Sequence, residues 1–235
     1  EVLDADTNPT LTVRLVATDP SGLSFEQDVT ISVTNINEAP TDITLSPNTV
    51  GENLPAGTEV GVLTTVDPDS EDIFSYKLIS GTGDYDNSSF AIDSASGTVS
   101  TSETFDFETR SQYSIRVESK DAGGNKFTKA ISITVADRQD APTAITTDPE
   151  SGTIREGLSA GTLVTTLSTV DPDSGDTFEY SLVSGTGDTN NSLFRIAGNQ
   201  LQTNAVLTQV HTPTASVRIR STDGGGNTVE REVAV

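Results

Sequence analysis

The stretch "TVDPDS" at Thr65–Ser70 returns unchanged at Thr169–Ser174. Asp67 and Asp171 are thus related by an offset of 104. Asp-Pro-Asp sets two carboxylates on alternate residues around a ring that fixes φ, so the acids cannot readily turn apart. Two bare carboxylates about 4 Å apart repel by roughly 4 kcal/mol at an effective dielectric of about 20. Either both sit in water or something positive offsets them, and the rest of the chain decides between these.

Outward from this hexapeptide, other stretches recur with it. "SGTGD" begins at Ser80 and again at Ser184, an offset of 104. "EAP" ends at Pro40 and "DAP" at Pro142, an offset of 102. Asp19 in "ATDPSG", Asp121 in "SKDAGG" and Asp223 in "STDGGG" follow one another at 102. A period near 100 residues is a whole small domain rather than a solenoid unit. Residues 1–37 match only the C-terminal half of a repeat, 38–138 a complete repeat, and 139–235 a second repeat whose last strand stops early. The half repeat holds about three strands and cannot close a sandwich alone. Its reading implies a natural chain that continues upstream and, in a free-standing chain, a disordered first segment.

Within each period the pattern is that of strands. Leu11, Val13 and Leu15 alternate with polar residues, as do Val29, Ile31 and Val33. The alternation returns at Tyr113, Ile115, Val117 and at Ile131, Ile133, Val135. Period two means one buried face and one wet face. Phe74, Tyr76 and Leu78, with Phe178, Tyr180 and Leu182 as counterparts, read as a further inward-facing strand. Turn residues separate these runs every ~8–12 positions, which predicts all-β, seven-stranded Greek-key sandwiches repeated in tandem.

The chain of 235 residues carries 35 acidic and 13 basic side chains, a net charge of −22. That balance lacks the basic footprint of a nucleic-acid binder and disfavours anionic membrane surfaces. It suits calcium binding, a salty habitat or plain solubility. Cys, Met and Trp are absent, so no disulfide or thiolate metal site exists. No apolar run approaches the ~20 residues of a membrane-spanning helix.

The repeated acids form an ordered set. The complete repeat has Glu52 in "GEN", Asp67 and Asp69 in "VDPD", Asp106 and Glu108 in "FDFE", Asp121 in "KDAGG", then Asp137 and Asp140 in "ADRQDAP". Hard oxygen donors in this number, without His or Cys, suit Ca²⁺ better than Mg²⁺, which prefers to keep its waters. The order and spacing of these motifs, seen twice, resemble the cadherin repeat family as found in large bacterial surface adhesins.

The resemblance implies that calcium lies at the joints of successive repeats. At the 138/139 seam the ligands it implies are Glu52, Asp106 and Glu108 from above. Asp137, Gln139 and Asp140 come from the linker, with the carbonyls of Arg138 and Ala141. Asp171, Asp173, Asp176 and Asp223 come from below. Up to three Ca²⁺ ions are implied there; Asp176 joins by position only, and the other eight carboxylates facing six positive charges suit that number. The 37/38 seam is a weaker copy with fewer ions. Asp4 and Asp6 take the "FDFE" place, Asn35, Asn37 and Glu38 form its linker, and Asp67, Asp69, Asp72 and Asp121 lie below. In the last repeat Glu156 persists, but Thr208 and Val210 fall where Asp106 and Glu108 would, so a joint below it would be metal-poor and bend.

Other readings are weaker. A helix–loop–helix calcium site needs Glu at the twelfth loop position, where Leu78 and Leu182 stand. The one histidine, His211, reads as a surface residue, and no motif around it supports a triad. The set contains no activated nucleophile or base, so the chain reads as non-enzymatic. Asn87 and Asn190 open N-x-S sequons in matching loops and matter only in a host that glycosylates. The function implied is an extracellular, calcium-stiffened spacer or adhesion segment of a large surface protein. Its partners are neighbouring repeats, like molecules or cell-surface glycans. A carbohydrate- or protein-recognition module, for which exposed aromatics such as Tyr85 would be needed, and an accessory domain of a secreted enzyme are the alternatives. Adhesion by an exchanged strand anchored on Trp does not carry over, because the chain has none.

Overall fold

A computed structural model describes residues 3–69, 72–150, 152–208 and 214–235. Val210 and His211 lie outside these residues. The chain divides into two compact units, Glu1–Asp137 and Arg138–Val235.

The first unit opens with a hairpin, β1 (Thr10–Thr18) and β2 (Ser24–Ser32), paired from Thr10↔Ser32 to Thr18↔Ser24. Among the described residues of this segment there are two strands, where the half repeat is expected to hold about three. The local alternation and the Asp19 turn suffice for a paired hairpin. Asp19 Oδ1 accepts hydrogen bonds from the Ser21 and Leu23 amides at 2.8 and 3.0 Å, closing the connection.

The repeat that follows is a two-layer sandwich. One sheet orders β3 (Asp42–Ser46), β5 (Glu59–Val66), β8 (Thr98–Thr101) and β7 (Phe90–Ile92) as β3-β5-β8-β7. The other orders β4 (Thr49–Gly51), β10 (Lys126–Ala136), β9 (Gln112–Lys120) and β6 (Ser75–Leu78) as β4-β10-β9-β6. All pairs are antiparallel except β4 with β10. Among the described residues this repeat shows eight strand segments, because the first strand of the seven-stranded plan is in two pieces. Its first strand breaks at Pro47, and the second piece crosses to pair with β10, because proline cannot donate to a ladder. The core between the sheets is built from the predicted period-two positions. Ile115, Val117, Ile133 and Val135 are completely buried beside Ile43 and Val99, with Phe74, Leu78 and Tyr113 packed at the edge.

The second unit repeats the plan with seven strands. β11 (Ala144–Asp148), β12 (Leu163–Val170), β15 (Gln200–Thr203) and β14 (Phe194–Ala197) form one sheet. β13 (Glu179–Leu182), β16 (Ser216–Thr222) and β17 (Thr228–Ala234) form the other. Val217, Ile219 and Leu201 fill its centre.

A basic side chain reaches across each sandwich. Lys129 Nζ donates to the Ile43 carbonyl at 2.9 Å and to Asp42 at 2.7 Å, and Arg231 repeats the first bond on the Ile145 carbonyl at 2.8 Å. A long cation covers the open end of the core in both cases. The tandem all-β sandwich architecture follows from the alternation. The break at Pro47 follows from its missing N–H.

Ile133 sits at the centre of the first core with no exposure. Replacing it by Ala is expected to cost about 2–5 kcal/mol. Hydrogen exchange should quicken across β9 and β10 and stay unchanged in β16 and β17.

Candidate metal centre

Both Asp-Pro-Asp stretches leave a strand of the same sheet at the same point: Asp67 follows the end of β5 and Asp171 follows the end of β12. The local geometry is nearly identical. Asp67 Oδ1 accepts the Asp69 amide at 3.0 Å, and Asp171 Oδ1 accepts the Asp173 amide at 3.1 Å. One oxygen thus closes an Asx turn across the proline. The other oxygen, Oδ2, is buried without a hydrogen-bond donor in both aspartates, and so is Asp72 Oδ2.

In the first unit these carboxylates belong to two groups. Asp67, Asp72 and Asp121 each bring an oxygen within 4.8 Å of the others, and Asp6, Glu38 and Asp69 do the same. Asp121 ends β9 and starts the "KDAGG" turn. Its Oδ1 accepts the amides of Gly124 and Asn125, and its Oδ2 accepts Asn37 Nδ2 at 2.8 Å. Asp69 is covered by Asn35 Nδ2 and by the Glu38 amide at 2.8 Å. Asn125 Nδ2 in turn holds the Glu38 carbonyl at 2.8 Å. Gly123 has a local reason: a Cβ there would stand 2.5 Å from the Asn37 side chain. Asp4 is outside both groups, with its Oδ1 capping the Asp6 amide at 2.9 Å.

The second unit shows the same arrangement with different partners. Asp171, Asp173 and Asp176 form a group, and Gln139 Nε2 donates to Asp173 and Asp176 at 2.7 and 2.6 Å. The Asp140 amide donates to Asp173 at 2.6 Å. Asp223 stands outside this group of three, held by the Asn227 amide at 2.7 Å and its Nδ2 at 3.0 Å. Asn227 Nδ2 also reaches the Asp140 carbonyl at 3.0 Å. Asn125 and Asn227 were not picked out in the sequence, though their place after the glycines at a spacing of 102 was there to be read.

A third group lies at the end of the first unit, where Glu52, Glu108 and Asp137 converge within 4.8 Å. Glu52 is completely buried and accepts the Phe107 amide at 2.7 Å. Asn53 follows it with φ 58°, a left-handed turn that sends its amide to the Phe105 carbonyl at 3.0 Å. Gly157 takes the same place after Glu156 at φ 78°, bonded to the Leu207 carbonyl at 2.9 Å. Asp106 does not join the group. Both its oxygens serve Thr109, the amide and the hydroxyl each at 2.9 Å. The loop is pinned by Arg110, which binds the buried Asp86 through two bonds of 2.6 and 2.7 Å and stacks over Tyr113 at 4.4 Å.

Asp86 has Asn190 as its counterpart, since Asp86 and Asn190 accept the amides of Ser114 and Ser216. Asn87 corresponds to Asn191, each holding a carbonyl and an amide of flanking strands through its two amide ends. The two sequon asparagines therefore occupy different positions in their loops. Asn87 is a bridging side chain rather than a plain loop residue.

The electrostatics follow the geometry. Burial raises the Asp72 carboxyl above the ordinary aspartate value, and the charges of Asp67, Asp69 and Asp121 add to it. Burial raises Asp171 as well, reinforced by Asp173, Asp176 and Asp223 against the Asp173 amide bond. Asp6 and Glu38 rise for the same reasons, burial first and then Asp69. For Asp121 burial pushes upward, but the bonds from Asn37, Asn125 and Gly124 outweigh it and the value falls. Asp223 falls likewise through Asn227, Gly226 and Gly225.

Residues 47–136 match the cadherin domain family model. The chain contains cadherin-like repeats. It is 32% identical to human protocadherin gamma-B3 over 190 residues, covering 75% of this chain and 19% of the relative. It therefore spans about a fifth of that protein's length. The structure of protocadherin gamma-B7 extracellular cadherin domains 1–4 superposes with a TM-score of 0.63 at 26% identity, covering all of this chain and 58% of the other. A protocadherin gamma-B7 EC3–6 cis-dimer structure gives 0.69 at 24% identity, covering all of this chain and 59% of the other. The repeat type is that of extracellular ectodomains, and these matches are to protocadherins rather than to bacterial adhesins. No helix among the described residues is long and apolar enough to cross a membrane.

The residues present fit a hard divalent cation. Buried carboxylate oxygens without donors cluster with further carboxylates, and the amides of Asn37 and Gln139 donate to members of those groups. Carbonyl oxygens of those same amides become available by a half-turn of the side chain.

In calcium-free protein, carboxyl-carbon NMR titration is expected to place Asp72 and Asp171 above the ordinary aspartate value and Asp121 and Asp223 below it. Stability from the first pair is present at low pH and lost as pH rises through their folded values. That from the second pair is present above the ordinary value and lost as pH falls through theirs. Asn37→Ala should move Asp121 upward and leave Asp223 in place.

Proposed function

We propose that these repeats bind Ca²⁺ through the three acidic groups of the first unit and the one of the second. In this reading they act as a calcium-rigidified spacer or cell-adhesion segment of a larger extracellular surface protein. The observation that supports this most is the recurrence of a buried, donorless Oδ2 on Asp67 and Asp171, each amid other carboxylates. Calcium, when bound, would supply the positive charge and the six to eight oxygen contacts that such donors suit. The ligand side chains proposed are Glu52, Glu108 and Asp137, then Asp171, Asp173, Asp176 and Asp223. The second set comprises Asp6, Glu38, Asp67, Asp69, Asp72 and Asp121. Gln139, Asn35 and Asn37 join through their amide oxygens. Asp4, Asp106 and Asp140, with the carbonyls of Arg138 and Ala141, belong to the sets that the motif resemblance implies. Up to three ions at the 138/139 seam and fewer at the 37/38 seam is the number that resemblance suggests.

The chain's own groups define the work each does. Asx turns and the Asn125 and Asn227 bridges hold carboxylates at fixed separations before any ion arrives, so binding orders few side chains. Without countercharge the same acids repel, which loosens the linker residues bonded to them. The domain boundaries 1–37, 38–138 and 139–235 are part of this proposal. So is a bacterial adhesin setting, which rests on the motif resemblance alone. The partners proposed are neighbouring repeats and like molecules. Surface glycans and an accessory role beside a secreted enzyme are the remaining alternatives.

Calorimetric titration of the whole chain with calcium is expected to show binding in the range of about 10⁻⁴–10⁻³ M typical of extracellular modules. Glu108→Ala and Asp173→Ala should each weaken it by about tenfold or more while both sandwiches stay folded. A chain that takes up no heat or ion at millimolar calcium would remove the reading. Sedimentation with and without calcium then separates the two roles. Calcium-dependent dimers favour adhesion between like molecules, and monomers throughout favour the spacer.

A further inference from the structure

Each sandwich carries a cluster of three hydroxyls between its sheets, in the same place. In the first repeat Thr65 Oγ1 lies 3.0 Å from Tyr76 Oη and 2.6 Å from Ser119 Oγ. In the second Thr169 Oγ1 lies 2.9 Å from Tyr180 Oη and 2.6 Å from Ser221 Oγ. Ser119 and Ser221 are completely buried. The tyrosine and serine are directly paired across neighbouring strands, Tyr76↔Ser119 on β6 and β9 and Tyr180↔Ser221 on β13 and β16. The threonine comes from the opposite sheet, on β5 or β12.

The position of these groups along the strands is informative. Thr65 stands two residues before Asp67, and Ser119 two residues before Asp121. Thr169 and Ser221 precede Asp171 and Asp223 by the same step. At strand spacing, two residues is one repeat on the same face, about 6.5–7 Å. The hydroxyl contact therefore ties the two sheets one step inside the point where their strand ends deliver carboxylates. Asp67, Asp72 and Asp121 converge at that end. Their mutual repulsion acts to part β5 from β9, and the hydroxyls of Thr65 and Ser119 link those strands at 2.6 Å. For packing alone, Val, Phe and Ala would fill the same volumes without desolvating three hydroxyls.

We propose that Thr65, Tyr76 and Ser119, and likewise Thr169, Tyr180 and Ser221, are positioning residues for the cation site: an inter-sheet hydroxyl clamp that fixes the separation of the Asp-Pro-Asp turn from the aspartate ending the opposite strand. This rests on the calcium reading above. Nothing in the clamp touches the ion. It sets the spacing of the groups that do.

The test uses the whole chain carrying Thr65→Val, Tyr76→Phe and Ser119→Ala, with the second repeat as internal reference. Calcium is titrated while the amide resonances of Asp69, Asp121 and Gly124 are followed beside those of Asp173 and Asp223. The midpoint reported by the first set is expected to rise about five- to tenfold, in keeping with the net worth of one or two hydrogen bonds, and the second set to keep its wild-type midpoint. Val99→Ala, which opens the core elsewhere on β8, should lower stability and leave the midpoint alone. Thr65→Ser, which keeps the hydroxyl, should match wild type where Thr65→Val does not. Wild-type midpoints in the triple variant, or an equal rise in Val99→Ala, would overturn the clamp while leaving calcium binding intact. Wild-type amides that ignore calcium altogether would overturn both. If the triple variant does not fold, Thr65→Val and Ser119→Ala singly decide by the same comparison.

Discussion

Everything near the strand ends is governed by the crowding of carboxylates on a rigid support. A sandwich delivers Asp67 and Asp121 from opposite sheets to one end, and Asx turns prevent the side chains from swinging into water. The cost is visible in the raised carboxyls of Asp72 and Asp171 and in the oxygens buried without donors. Amide side chains from the linkers offset part of it by donating N–H groups to the neighbouring carboxylates of Asp121, Asp173 and Asp176. The arrangement recurs in both repeats, which is what the calcium proposal rests on. Packing alone would favour removing the charges.

The two repeats differ at the end that carries Glu52 and its counterpart Glu156. At the lower end of the first, Glu52, Glu108 and Asp137 converge, and the loop bearing Glu108 is anchored by the Arg110–Asp86 pair. The second repeat keeps Glu156 and the left-handed residue after it, but Asp86 becomes Asn190 and Thr208 takes the place of Asp106. The acids and the buried charge in front of their anchor are thus lost together. That is consistent chemistry, because a buried Asp without its guanidinium would be an uncompensated charge.

The hairpin β1–β2 shows what the same sequence pattern does without a second layer. Its register of Val13↔Val29 and Leu11↔Ile31 reproduces that of Ile115↔Ile131 and Tyr113↔Ile133 in β9–β10. Yet Val13, Leu15, Phe25 and Ile31 are exposed, whereas Ile115 and Ile133 are completely buried. Local alternation is enough to pair two strands. Burial of the apolar face needs the opposing sheet.

The sequence alone was sufficient for the repeat period, the all-β sandwich class and the recurrence of acids at fixed offsets. Each is written in local order: period-two alternation, turn residues at regular intervals, and acids recurring at fixed offsets. It could not show that Asp106 turns to Thr109, that Asp223 stands apart from the Asp171 group, or that Asn125 and Asn227 tie the linkers down. It could not show the Thr65–Tyr76–Ser119 contact either, whose members come from three strands in two sheets. Those features depend on which side-chain oxygen meets which donor across strands far apart in the chain. Only the packing of one sheet on the other brings such groups within hydrogen-bond reach.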